Sequence, residues 1–438
     1  MQRRAFLRTV GAGGVAGLGG LAGCLATGQR APRLEHEHRT WRDYSTDWHA
    51  PTDPPTTDVS VETIVQQLEI PWDVAFAPNG DLFVTERVGR IRRVAGRALQ
   101  TVVEPTDAVD ATAVPAEPDD AGYWETWWLP GGEGGVLGVA VHPHYPDPAW
   151  LFVYYTTKTD SGPENRVVRY DLDAPNPTAS ARPIVTGIPA DAVHNGGRLR
   201  WGPDNYLWVT TGDAGTPALA QDGQSLAGKI LRVQANGRPA HDNPNIRGRD
   251  RRIFTLGHRN PQGLAFLPNG APVATEHGPD GRDELNCLDA GRNYGWPHAR
   301  RPTEYAEVSD RYPRPLLSTG GSPSWAPTGT VFFTGDAVPS WSNRLIFGQL
   351  FGQRLGVATI TPASQSPPPG DVTFDADWLH DDYTVTVTHV LPALGRIRGA
   401  FQGPDGGLYA ITSNRDGRAK GENLPRAGDD RLVRITAD

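Results

Sequence analysis

Val74-Ala-Phe-Ala-Pro-Asn-Gly-Asp-Leu-Phe-Val-Thr85 is an apolar run, a Pro-Asn-Gly turn and a second apolar run. Such a stretch reads as a β-hairpin, because Asn and Gly accept the tight backbone geometry that a short turn demands. The pattern returns as Leu199-Arg-Trp-Gly-Pro-Asp-Asn-Tyr-Leu-Trp-Val-Thr210, as Leu264-Ala-Phe-Leu-Pro-Asn-Gly-Ala-Pro-Val-Ala-Thr275, and last as Gly399-Ala-Phe-Gln-Gly-Pro-Asp-Gly-Gly-Leu-Tyr-Ala-Ile-Thr412. A looser copy joins Gly138-Val-Ala-Val-His-Pro-His-Tyr145 to Leu151-Phe-Val-Tyr-Tyr-Thr156. A degenerate one joins Gly329-Thr-Val-Phe-Phe-Thr-Gly-Asp336 to Arg344-Leu-Ile-Phe-Gly-Gln349. The marker prolines Pro78, Pro143, Pro203, Pro268 and Pro404 stand 65, 60, 65 and 136 residues apart, the last interval being twice 68. Six units are predicted, each long enough for four short strands, which is the size of a propeller blade. The expected fold is all-β: a six-bladed β-propeller of four-stranded antiparallel blades over residues 59–438. The C-terminal run Asp430-Arg-Leu-Val-Arg-Ile-Thr436 is expected to close the ring with the first blade.

Composition agrees with short strands and turns. The 51 Gly and 40 Pro are scattered among 13 Trp, 12 Tyr and 12 Phe along the 438 residues. A net charge of -8 with no Lys/Arg-rich tract argues against nucleic acid as a partner. Cys24 and Cys287 are the only cysteines, too few for a disulfide framework.

The first residues read as an address. Arg3-Arg4-Ala-Phe-Leu-Arg8 precedes a weakly apolar Gly/Ala/Val/Leu stretch that ends in Leu21-Ala-Gly-Cys24. Paired arginines before such a stretch resemble a twin-arginine export signal over residues 1–23, and Leu-Ala-Gly-Cys resembles a lipobox. Residues 24–58 are polar and read as a linker. The expectation is an extracytoplasmic protein that touches the cell membrane only through a lipid on Cys24.

Propellers bind ligands at the mouth of the central channel, so polar motifs at the junctions between units are the candidate site. His194-Asn-Gly-Gly-Arg-Leu199 offers an imidazole, the natural general base near neutral pH, flanked by glycines that let a substrate approach. Thr255-Leu-Gly-His-Arg-Asn-Pro-Gln-Gly-Leu264 clusters Arg259, Asn260 and Gln262. Glu276-His-Gly-Pro-Asp-Gly-Arg-Asp-Glu284, running on to Asn293-Tyr-Gly-Trp-Pro297, has the density of carboxylates and loop carbonyls that suits a hard cation such as calcium.

These motifs reach a family. Glu133-Gly-Gly-Val-Leu-Gly-Val-Ala-Val-His-Pro143, the His194 motif, Gly257-His-Arg-Asn-Pro-Gln-Gly263, Glu276-His-Gly-Pro279, Asn293-Tyr-Gly-Trp-Pro297 and Gly395-Arg-Ile-Arg398 occur in that order. Together they resemble the soluble quinoprotein glucose/sorbosone (aldose sugar) dehydrogenases from about residue 70 to 438. The resemblance implies pyrroloquinoline quinone and calcium as cofactors, an aldose as substrate and an external electron acceptor. It casts His194 as the base for the sugar C1 hydroxyl and Arg259 as the residue beside the reactive quinone. Asn260 and Gln262 would brace the site, Tyr305 would contact the cofactor, and Arg396 and Arg398 would pair with its carboxylates. Gly278, Pro279, Glu284 and Tyr294 would attend the calcium.

Two positions depart from the family pattern. Glu133 stands where the glucose enzyme has Gln near the quinone, and Phe351, in Gln349-Leu-Phe-Gly-Gln-Arg354, stands where relatives often carry Lys. Both changes work against a tri-anionic cofactor, with Arg354 a partial substitute. The insert Tyr123-Trp-Glu-Thr-Trp-Trp128 offers aromatic faces for a sugar ring or for packing. Two alternatives stay open: a calcium-dependent propeller lactonase or hydrolase, and a non-catalytic carbohydrate-binding propeller.

Overall fold

The computed structural model describes residues 48–109, 111, 132–307, 311–419 and 424–438. The expected signal, Cys24 and the Tyr123–Trp128 insert lie outside these residues. Trp48 packs edge-on against Phe332 at 5.3 Å, and the Trp341 indole donates to the Thr56 carbonyl at 2.8 Å. The last part of the expected linker thus lies against the body. No helix among the described residues is long and apolar enough to cross a membrane.

The chain forms an all-β propeller. Its first four-stranded sheet comprises Pro71–Phe76, Leu82–Glu86, Arg90–Ala95 and Ala98–Val103. The second comprises Val136–Val141, Trp150–Thr159, Gly162–Asp171 and Arg182–Pro189. The third is Leu199–Trp201, Leu207–Thr211, Lys229–Val233 and Ile253–Leu256, and the fourth is Pro261–Phe266, Pro272–Glu276, Glu284–Cys287 and Leu317–Ser318. Within each sheet the strands pair antiparallel in chain order.

The turns explain the repeat. In the first hairpin the Ala77 amide bonds the Asp81 carbonyl at 2.7 Å and the Gly80 amide bonds the Ala77 carbonyl at 2.9 Å. The same two bonds recur around Gly270 and Gly406, and in the third sheet Asn205 fills the slot. All four residues have positive φ, and Asn tolerates that better than other side chains do.

The expected count of six separate blades is overturned. Four sheets stand alone, and the last two repeat copies merge into one nine-stranded mixed sheet. Its halves meet at a single parallel bridge between Gly329, in Pro327–Phe333, and Gly399, in Ile397–Gln402. The cause is local: a Cβ on Gly329 would lie 2.9 Å from the Gly399 Cα, so two residues without side chains bring these strands into pairing distance. The C-terminal strand Leu432–Ala437 does not join the first sheet either. It sits between Leu408–Thr412 and Val59–Val65 at one end of the nine-stranded sheet.

Hydrophobic layers fill the spaces between successive sheets. Leu137, Phe152 and Tyr154 of the second sheet pack on Leu199, Leu207 and Leu231 of the third. Val74 and Val84 of the first sheet pack on Phe401 and Ile411 of the nine-stranded one. Inner strands are therefore covered on both faces, and Leu82–Glu86 and Val136–Val141 are buried throughout without alternation. The outermost strand Ala98–Val103 is mostly open.

This architecture has a consequence for the site. Each innermost strand starts at one end of the channel and the second strand returns there, so strand starts and hairpin ends meet at that mouth. Trp72, Gln262, Ala326 and Arg398 come from the starts of first strands or the residues beside them. Arg87, His277, Leu350 and Phe351 directly follow second strands, and Asp416 lies a little beyond one.

Candidate active site

A cavity opens at this mouth, walled by Arg87, Arg396, Arg398 and Arg418 against Glu133 and Asp416. Four guanidiniums facing two carboxylates leave an excess of two positive charges. Asp416 accepts from Arg396 at 2.8 Å and lies 3.4 Å from Arg398. Burial opposes ionisation of Asp416, but the charges of Arg396 and Arg398 prevail and hold its carboxyl down to about 2. Burial and neighbouring cations bring Arg398 down to about 9 and Arg87 to about 10, although Asp416 acts against both shifts.

Two buried polar atoms of this wall have no hydrogen-bond partner among the described residues: Nε of Arg398 and Nε2 of His277. Buried donors and acceptors are nearly always satisfied, so both atoms are free to take a polar ligand in the cavity. Burial also pushes the His277 imidazole down to about 4, which makes it a neutral hydrogen-bonding group. An anion with several carboxylates fits such a cradle, because arginine grips carboxylate through paired N–H groups.

Glu133 is less disruptive than its charge suggests. Arg418 donates to one of its oxygens at 2.7 Å, and the His194 amide donates to the other at 2.9 Å. Burial resists the charge, yet Arg418 and then His194 hold the Glu133 carboxyl down to about 2. Phe351 stands at the rim, half exposed, with its amide on the Trp325 carbonyl at 3.1 Å.

His194 reaches this wall through Glu133 and sits in the left-handed region at φ 57, a conformation that costs a non-glycine residue about 1 kcal/mol. Its Nδ1 lies 2.7 Å from an oxygen of Asp213, which is fully buried. An ionised carboxylate only accepts, so Nδ1 carries the proton and Nε2 is left as acceptor. The other Asp213 oxygen accepts from the Trp296 indole at 2.7 Å. The Asp213 amide in turn donates to the Arg259 carbonyl at 2.8 Å.

Asn260 and Gln262 act as braces. Asn260 accepts from the Gly196 amide at 3.1 Å, two residues past His194, and Gln262 accepts from Arg398 at 3.0 Å. Arg259 donates to the carbonyls of Gly278 at 2.9 Å and His277 at 3.2 Å. Burial lowers its guanidinium from the ordinary value, against the pull of Asp213.

The residues expected around calcium have other partners in this structure. The Gly278 carbonyl is engaged by Arg259, and the Pro279 carbonyl accepts from Arg282 at 3.0 Å. Glu284 is buried and pairs with Arg300 at 3.2 Å, and the Tyr294 hydroxyl bonds the Cys287 carbonyl. No group of three or more acidic, His or Cys side chains suited to a metal occurs among the described residues. The Gly278 and Pro279 carbonyls thus each accept a guanidinium hydrogen bond that a calcium ion bound there would have to displace or share. Tyr305, expected to contact the cofactor, is fully buried, donates to Glu284 at 2.9 Å and stacks on Trp378 at 5.7 Å.

Arg87, Asp213, Asp416 and Arg418 were not singled out from the sequence. The signal existed: Arg87, Asp213 and Asp416 each lie within a few residues of the end of a second repeat strand, where the hairpins deliver side chains to the mouth.

The family model for glucose/sorbosone dehydrogenases matches residues 68–423. The chain belongs to the glucose/sorbosone dehydrogenase family. It is 30% identical to the Escherichia coli aldose sugar dehydrogenase YliI, over 84% of this chain and 93% of that one. Among solved structures, a Thermus thermophilus oxidoreductase described as a glucose dehydrogenase is 35% identical, with a TM-score of 0.67 over 86% of this chain and 99% of the other. The PQQ-bound aldose sugar dehydrogenase of Streptomyces coelicolor is 30% identical, with a TM-score of 0.65 over 87% and 99%. Membership makes this glucose/sorbosone dehydrogenase relative part of an oxidoreductase family.

Proposed function

We propose that the protein oxidises aldoses at C1 to lactones with pyrroloquinoline quinone, using His194 as the general base. The observation that carries this is the His194–Asp213 pair beside an arginine-walled cavity with a net positive charge. Arg396, Arg398, Arg87 and Arg418 would hold the cofactor's carboxylates, helped by the unpartnered Arg398 Nε and His277 Nε2. When bound, the quinone supplies an acceptor for the hydride that leaves C1.

The chain's own residues supply the proton chemistry. His194 Nε2 takes the proton of the C1 hydroxyl as the C1–H electron pair departs, and the C1–O bond becomes the lactone carbonyl. Asp213 holds the imidazole in the accepting tautomer and stabilises the imidazolium that forms. Arg259 places positive charge next to the reacting region, and Asn260 fixes the His194 loop through Gly196.

The test is dye reduction by purified protein loaded with the quinone and offered several aldoses. Turnover with at least one aldose is expected. Failure of turnover together with failure to retain cofactor would overturn the reading. The same proposal includes export through Arg3-Arg4, a lipid on Cys24 and an external electron acceptor. Cys24→Ala should then move the protein from the membrane fraction to the soluble one, and unchanged fractionation would remove the anchor.

A further inference from the structure

Trp296 closes a chain of contacts that the reaction chemistry above does not itself require. Its indole N–H donates to the Asp213 oxygen that His194 does not use. Its ring centroid lies 5.5 Å from the Arg259 guanidinium carbon and 5.6 Å from that of Arg300. Its amide bonds the Gly257 carbonyl at 3.0 Å, and its carbonyl accepts from Gln221. The indole is therefore held by its backbone and touches both the partner of the base and the arginine beside the cofactor cavity.

We propose that Trp296 is a positioning residue for sugar oxidation, fixing the Asp213 carboxylate so that His194 presents Nε2 to the substrate; this rests on the dehydrogenase reading above. Asp213 has two oxygens and three donors around it: His194 Nδ1, the Gly215 amide at 2.9 Å and the Trp296 indole. Two of these crowd one oxygen, and the indole alone holds the other among the hydrogen bonds described. Without it the carboxylate can rotate about its last side-chain bond, and the imidazole hydrogen bond loses its fixed direction. Ligand-orienting partners one layer behind a reacting group typically matter by ~10–100-fold. The ring has a second task. Arg259 and Arg300 are both cationic, and the electron-rich face of an indole attracts guanidiniums that would otherwise repel each other.

The two tasks separate by variant. Trp296→Phe keeps a ring and removes the N–H, so kcat should fall about tenfold or more while KM and quinone affinity stay within about twofold. Trp296→Ala removes both, so quinone affinity should fall as well. A readout independent of turnover is the side-chain nitrogen spectrum of His194 in the cofactor-free protein. Wild type should show the Nδ1–H tautomer, and Trp296→Phe a mixture. In wild type the Trp296 indole N–H should also be shifted downfield and exchange slowly, and Asp213→Asn should move it. Unchanged kcat in Trp296→Phe, or an unshifted and fast-exchanging indole proton, overturns the proposal. A wild-type enzyme with no sugar oxidation sinks the dehydrogenase reading instead, and the nitrogen spectrum still decides whether Trp296 orders the His194–Asp213 pair.

Discussion

Arg418 and Glu133, which are 285 positions apart in the chain, meet at 2.7 Å in the wall of the arginine-lined cavity. The pair turns an acid that would repel an anionic cofactor into one half of an internal salt link. Both side chains keep about a fifth of their surface open, at 23% and 20%. Removing Arg418 should then cost less than the ~3–5 kcal/mol of breaking a fully buried pair. Arg418→Ala is expected to weaken quinone binding about tenfold or more in an absorbance titration. Adding Glu133→Gln should restore most of it. Equal affinities in all variants would falsify this account.

Asp213→Asn keeps the shape of the side chain but offers an amide where His194 needs an acceptor. In the comparable His–Asp arrangement of serine proteases such a change costs about 10⁴ in kcat. Here kcat should drop by at least ~10²-fold, with quinone affinity little altered. Steady-state kinetics together with a cofactor titration check this, and a loss confined to cofactor binding would assign Asp213 a purely structural role.

A calcium ion at the Gly278 carbonyl would have to compete with Arg259, which donates to it at 2.9 Å. Titration calorimetry on the cofactor-free protein should detect little calcium binding in wild type and more in Arg259→Ala, where the carbonyl is released. If wild type binds calcium at least as well as the variant, the guanidinium is no obstacle.

Acid should destabilise the fold through a definite set of groups. Burial works against ionisation of Glu133, Glu276 and Asp416, but nearby arginines hold all three down to about 2. Unfolded, they would titrate near ~4. A folded value below the unfolded one means stability that is present above pH ~4.5 and lost as pH falls toward 2. Asp430 works in the opposite sense: burial lifts it to about 7, so its contribution is lost as pH rises from ~4 to ~7. Urea midpoints should therefore peak near pH ~5. Midpoints that keep rising as pH drops to 3 would contradict the assignment.

Gly329 has no room for a side chain. A Cβ there would meet Nη2 of Arg198 at 2.8 Å and the Gly399 Cα at 2.9 Å. Gly329→Ala should lower stability by ~1–3 kcal/mol through overpacking. Thermal unfolding measures it, and an unchanged Tm would mean that the strands can separate freely.

What could be read from the sequence was what local spacing encodes. The Pro-Asn-Gly turns repeat because each hairpin needs positive φ at one fixed place, and even the Asn205 substitute obeys that need. His194, Asn260, Gln262, Arg396 and Arg398 lie in short motifs; Gln262, Arg396 and Arg398 line the cavity, and His194 meets its wall through Glu133. Contacts made across the ring have no spacing to read. The bridge at Gly329 and Gly399 joins two repeat copies through absent side chains, so counting repeats overcounted separate sheets. Arg87 and Arg418 sit among other basic residues in their segments, and only the fold shows that these two line the cavity. That Arg259 and Arg282 hold the Gly278 and Pro279 carbonyls is likewise invisible in the sequence.

The pairing of Val59–Val65 with Leu432–Ala437 sets an order of events during biosynthesis. The first described strand waits for one that lies far along the chain, so its sheet cannot be completed until all the residues between them have been made. Assembly depends on contacts between the most distant parts of the sequence, the kind that form slowly. A cell that moves this protein across a membrane must either keep it unfolded until it has crossed, or finish the whole ring first and carry it across intact.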